Sequence, residues 1–396
     1  MGVFEVFTLI ESISENRSLQ NLLFYKDELC VLGAVLLSKA LECNTTVKTI
    51  EIHNNGGNIG TKALACVLNT ICLLESVIIY DKRLGYLGIK ALATALKDNT
   101  TIKTITISES AFRFLSAQEL AKALEQNNSL TELSLLYCNI CNISLGEIAK
   151  GLRMNSTLTT LNISGNKIGA IGLVSLIEAL KHNTTLKELI LNNNYFGWMG
   201  AKVIGDYLSK YKNNIEILDI NSCNIGDKGA ESISEVLKTN TTLEKLRVDN
   251  NNISKICLRM LLEVLKLNRT LKHFYASCCN DDSIKIFTPV INVLKYNHII
   301  EELFLPNVKF NDSQLLKIVN TLESKKSIKE LYYTPKNTNS IYICKISYIL
   351  LTNSIHSVLR QNKFVLSKLP EELWLIICAY LPYEDLVNFD SFLRLE

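Results

Sequence analysis

The chain has 396 residues, 47% of them hydrophobic, with 42 Lys and Arg against 39 Asp and Glu. A net charge of +3 gives no field that would favour nucleic acid or an anionic membrane, and 5 Pro with 17 Gly exclude collagenous or disordered character. The opening MGVFEVFTLIESISENR has no basic stretch before an apolar run, Val6 stands where a myristoylation motif needs Ser or Thr, and the longest uncharged apolar run is Leu373 to Leu381. That run is about half of a bilayer span. A cytoplasmic protein with no membrane insertion is expected.

Residues 1–18 precede any repeat and are read as an N-terminal cap. From Leu19 one unit recurs, as in NSTLTTLNISGNKIGAIGLVSLIEALK followed by NTTLKELILNNNYFGWMGAKVIGDYLS. Its first apolar anchor falls at Leu19, Val47, Leu74, Ile102, Leu130, Leu158, Leu186, Ile215, Leu243, Leu271, Ile300 and Ile328, so about twelve units fill residues 19–335. Within a unit the apolar period changes. Leu161 and Ile163 alternate as in a strand, whereas Leu173, Leu176, Ile177 and Leu180 follow a helix. One strand and one helix cannot bury their apolar faces alone, so the units must stack, strands in a parallel sheet on the concave side and helices outside.

Asn166, Asn194 and Asn251 stand at the ninth position of their units, where a short amide can satisfy the backbone of the turn leaving the strand. Cys138, Cys223 and Cys279 take the same position, and the twelve scattered cysteines are expected to act as small buried hydrophobes. The second unit is read as carrying two extra residues in NNGGNIGTKALA, with Gly60 at the turn, and the third as having Lys82 in place of Asn. Ser110, Val308 and Lys336 are further departures. The sequons at Asn44, Asn99, Asn155, Asn183 and Asn240 recur in phase, which places them at the helix-to-strand turn rather than as glycan acceptors.

These residues resemble the leucine-rich repeats of the ribonuclease-inhibitor-like class over about five-sixths of the chain. The resemblance implies an α/β fold, a leucine-rich-repeat solenoid of horseshoe form, followed by a small helical C-terminal segment.

Catalytic chemistry has no candidate. GGNIGTK, from Gly56 to Lys62, lacks the spacing of a phosphate loop, the five histidines lie in different units or flanks, and Cys138 with Cys141 form one C-x-x-C without a second pair. No cofactor, metal or small-molecule substrate is expected, and no enzyme. Partner binding is instead expected on the third, fifth and seventh strand positions. These are Tyr25, His53 and Tyr80 near the amino end, Thr104, Thr106, Thr160, Asn162 and Ser164 in the middle, and Lys245, Arg247, Asp249, Tyr275, Phe304 and Tyr332 later. A solvated sheet face needs no aromatic residues, and a row of rings is what a protein-binding patch shows.

After Tyr333 the repeat fades into a helical connector, residues 336–363, and then into residues 364–396. There LPEELWLIICAYLPYEDL resembles an F-box, with Leu369, Pro370, Glu372, Leu373, Ile376, Leu381, Asp385 and Leu386 matching in order. A short F-box after a repeat array is similar to the terminal domain of poxvirus ankyrin-repeat proteins. The resemblance implies docking of Leu369, Pro370, Leu373, Trp374, Ile377, Leu381 and Leu386 on the Skp-type linker of a cullin-RING ligase, in the cytoplasm of a host cell. The expected function is a substrate adaptor of an SCF-type ubiquitin ligase, the repeats binding a protein target. The alternative is an interaction scaffold or inhibitor in which the terminal helices only cap the array. A third reading, resemblance to the leucine-rich-repeat Ran GTPase-activating proteins, lacks their acidic tail.

Overall fold

A computed structural model describes residues 8, 11–25, 31–53, 57–68, 73–279, 285–336 and 341–361, in two compact units, Met1–Ile253 and Ser254–Glu396. In the first unit the strands are β1 (Asn21–Phe24), β2 (Thr49–His53), β3 (Ser76–Tyr80), β4 (Thr104–Ser108), β5 (Glu132–Leu136), β6 (Thr160–Asn162), β7 (Glu188–Ile190), β8 (Ile217–Asp219) and β9 (Lys245–Arg247). They pair in parallel and in sequence order, each shifted from the last by one repeat, as in Leu133 opposite Leu161 and Leu161 opposite Leu189. A helix follows each of the first eight strands: α1 (Val31–Cys43), α2 (Gly57–Val67), α3 (Tyr86–Asp98), α4 (Phe114–Gln126), α5 (Asn142–Met154), α6 (Ala170–Leu180), α7 (Gly197–Lys210) and α8 (Gly226–Thr239). The second unit runs α9 (Lys255–Leu265), β10 (His273–Tyr275), α10 (Phe287–Tyr296), β11 (Glu302–Phe310), α11 (Asp312–Leu322), β12 (Glu330–Pro335) and α12 (Ile341–Gln361), again with parallel strands in order.

The period-2 residues explain the core. Ile50, Ile52, Val77, Ile79, Leu161 and Leu189 are buried between sheet and helices, while the residues between them stay half-exposed on the helix-free face. Helix residues such as Leu173, Leu176, Ile177 and Leu180 close the core from the other side.

Two ladders of amides hold the turns. At the helix-to-strand turn Asn155 Nδ2 donates to the carbonyls of Leu124 and Asn127 in the preceding repeat, at 2.8 and 3.2 Å, and its Oδ1 accepts from Leu158 N–H at 2.8 Å. Asn183 repeats this on Leu152 and Asn155, and in the second unit Asn297 does so on Leu265 and Asn268. The sequon residues Asn44, Asn99, Asn155, Asn183 and Asn240 are 4–8% exposed, so the folded chain offers no glycan acceptor there. At the strand-to-helix turn Asn166 donates to Leu135 C=O and accepts from the N–H groups of Cys138 and Ile140. Cys138 and Cys223 substitute for Asn by donating through Sγ to Ile107 and Leu191 carbonyls at 3.3 Å, and burial pushes both thiols up to about 12.

Several expectations change. The loop of the second repeat is shorter, not longer: α2 starts at Gly57, ten residues after Val47, against twelve from Leu74 to Tyr86. Gly57 (φ +65°), not Gly60, takes the turn, and Gly60 is buried inside α2. In the third repeat Asp81, one position before Lys82, does the work of Asn, its carboxylate accepting from Gly57 N–H and Arg83 N–H at 2.8 Å. Ser110 keeps the ladder through a bond to Asp81 C=O, whereas around Val308 the strand runs on to Phe310 with a register shift after Phe304. Cys279, expected at the ladder position, is exposed, and its neighbour Cys278 is buried. Cys43, Cys66, Cys141 and Cys344 are also exposed, so the cysteines are not uniformly core residues.

Candidate functional site

Parallel pairing at a one-repeat shift places equivalent side chains side by side, at the spacing of neighbouring strands, roughly 4.8 Å. In the first unit the seventh position holds Tyr25, His53 and Tyr80, whose ring centroids follow one another at 4.8 and 4.5 Å, the second pair stacked. Glu51, two residues before His53 and on the same face, puts Oε1 2.9 Å from His53 Nε2 and fixes the imidazole between the two phenols. Burial, then the charge of Glu51 and the neighbouring Tyr25, holds the Tyr80 hydroxyl above the ordinary tyrosine range.

The second unit builds a like row at the fifth position. Tyr275, Phe304 and Tyr332 stand opposite one another in register, with centroids 5.6 and 4.4 Å apart and the last pair stacked at 18°. Tyr275 donates its hydroxyl proton to Glu302, and His273 Nδ1 lies 3.1 Å from Glu302 Oε2, an ion-pair distance without hydrogen-bond alignment. Tyr332 is exposed, and Tyr275 and Phe304 are half-buried by their neighbours. In each row one neighbouring pair is stacked and the other tilted, so the rings pack against one another along the strand face. Glu51 and Glu302 were absent from the expected site, although the alternation that exposed the rings places both on the same face.

The expected partner-binding positions on β9 differ. Lys245 and Arg247 are half-exposed on β9, but Asp249 is only 8% exposed. It lies beyond the strand, at the turn, so its carboxylate is recessed rather than presented to a partner. Burial pushes the Asp249 carboxyl up to about 6; Arg247 opposes the shift and Asp219 adds to it, while its Oδ1 has no hydrogen-bond partner among the described residues. Arg247 Nη1 lies 4.0 Å from Asp219 Oδ2. Ser164, expected on the same face, is buried too. Leu369, Pro370, Leu373, Trp374, Ile377, Leu381 and Leu386 lie outside the described residues.

Among the described residues no three His, Cys, Asp or Glu side chains converge as metal ligands would, and no helix is long and apolar enough to cross a membrane. Residues 155–176 and 211–234 match the family model described as Leucine Rich repeat. No curated protein sequence matches the chain. Among solved structures, "Leiomodin-1 Actin-Binding Site 2 (ABS2)" is similar at 20% identity and a TM-score of 0.28, covering 46% of this chain and 90% of that one. The matched stretches fall on strand–turn–helix units of the kind described above, and the fold is α/β with parallel strands.

Proposed function

We propose that the chain is a protein-binding adaptor, its repeats capturing a protein target on the helix-free strand face and its terminal segment docking on the Skp-type linker of a cullin-RING ubiquitin ligase. The observation that carries the first half is the row of Tyr275, Phe304 and Tyr332, three rings in contact on a surface that the fold does not need to cover. Aromatic anchors that are rigid before contact lose little entropy on binding and dominate interface energetics. Tyr25, His53 and Tyr80 offer a second surface of the same kind. The second half rests on the F-box resemblance from Leu369 to Leu386.

The two halves separate experimentally. Full-length protein should retain purified Skp-type linker, and Leu373→Asp with Trp374→Asp should abolish retention while leaving the melting curve of the repeats in place. Failure of the unaltered chain to hold the linker would leave a leucine-rich-repeat interaction scaffold with a helical cap, the competing reading.

A further inference from the structure

The first unit carries an apolar feature that strand-face binding leaves unused. Ile59, Leu87, Leu115, Ile143, Ile171 and Met199 occupy the same early position of six successive helices, α2 to α7, and each is 51–75% exposed. The core does not need them. Lys228 takes the position in α8 and ends the row, its ammonium 5.2 Å over the Trp198 ring. Phe114, Val174 and Trp198 flank the row and are exposed as well. Together these side chains leave on the order of 500 Å² of apolar surface in water, as large as the largest patches of soluble monomers.

Seven residues further along each helix, hence on the same face, the charge is polarised. Lys122 on α4 and Lys150 on α5 are basic; Glu178 on α6, Asp206 on α7 and Glu235 on α8 are acidic, and all five are substantially exposed. Glu119, Glu147 and Lys181, their ion-pair partners within α4, α5 and α6, are recessed beside them, whereas Lys210 and Lys238 on α7 and α8 stay exposed beside Asp206 and Glu235. The sign therefore reverses between α5 and α6.

We propose that this face pairs with the same face of a second copy of the chain, about a twofold axis that runs along the helices between α5 and α6. That axis lays α5 on the partner's α6 and α4 on the partner's α7. Ile143 then meets the partner's Ile171 and Leu115 the partner's Met199, while Lys150 meets the partner's Glu178 and Lys122 the partner's Asp206. Every contact occurs twice, as a twofold interface requires. Because both faces have the same helix spacing, the register holds across all four helices. The apolar row supplies the centre, and the charged row completes the roughly 800 Å² that each partner gives to a standard interface.

Sedimentation equilibrium of the full chain tests this. The unaltered protein should dimerise reversibly, and Ile171→Glu should weaken the dimer at least about tenfold by placing a carboxylate in the apolar centre. Lys150→Glu and Glu178→Lys should each weaken it several-fold, whereas the double variant, which exchanges the charges, should return close to the unaltered affinity. Circular dichroism melts confirm that each variant folds. A chain that stays monomeric at about 100 µM, an Ile171→Glu protein that dimerises as well as the parent, or a double variant no better than its single components would each overturn the pairing. Monomeric protein that binds phosphatidylserine vesicles through Ile171 would overturn it too, and would assign the row to a bilayer surface.

Discussion

Asn183 reaches back one repeat: its Nδ2 donates to Leu152 C=O and Asn155 C=O, both at 2.9 Å, while its Oδ1 accepts from Leu186 N–H at 2.9 Å. One side chain thus joins the end of one helix to the start of the next strand, in an environment closed to water. Asn183→Ala leaves buried carbonyls and an amide without partners, and should cost about 2–4 kcal/mol in urea denaturation. A loss below about 0.5 kcal/mol would mean that water or the backbone replaces the amide.

The two faces of the sheet should respond differently to truncation. Leu189 is 2% exposed between β6 and β8, so Leu189→Ala should cost about 2–5 kcal/mol. Thr160 is half-exposed on the helix-free face, so Thr160→Ala should change stability by less than about 0.5 kcal/mol. Equal effects would contradict the strand register.

Two left-handed glycines separate backbone strain from crowding. At Gly57 (φ +65°) an added Cβ would stand 2.8 Å from Arg83 O, while at Gly226 (φ +57°) it would meet nothing within 4 Å. Gly226→Ala should therefore cost only the conformational strain, about 1 kcal/mol, and Gly57→Ala clearly more. The order of the two melting temperatures checks this.

Asp249 makes stability depend on pH. Its folded carboxyl titrates near 6 against an ordinary 3.8, so the native state binds the proton more tightly than the unfolded chain. The associated stability is fully present below about pH 3.8 and is lost as pH rises towards 6, leaving a destabilising carboxylate at neutral pH. Asp249→Asn should raise stability by about 1–3 kcal/mol at pH 7.5 and by much less at pH 4. Denaturation at the two pH values measures it, and an equal change at both would contradict the buried-carboxylate reading.

Strand and helix positions were legible because the apolar period itself changes within each unit, and a fixed repeat then locates every ring on one face. Tyr275, Phe304 and Tyr332 could be placed side by side from their spacing alone. The turn around Asp81 could not, because Asn and Asp serve equally as turn acceptors and the shortened loop before Gly57 moves the alignment without disturbing the core. Asp249 was misplaced for a related reason: alternation holds only within the strand, and β9 ends at Arg247. The exposed row from Ile59 to Met199 was hidden because the same apolar residue types fill the helix core.

The proposed function places the held protein partner on the ring row of β10 to β12. Affinity capture by full-length protein, compared with the Tyr275→Ala, Phe304→Ala and Tyr332→Ala triple variant and read by quantitative mass spectrometry, tests it directly. The triple variant should keep the parent's melting curve, lose the captured target at least about tenfold and keep whatever binds the terminal segment. Undiminished capture of the same target by the triple variant would contradict it.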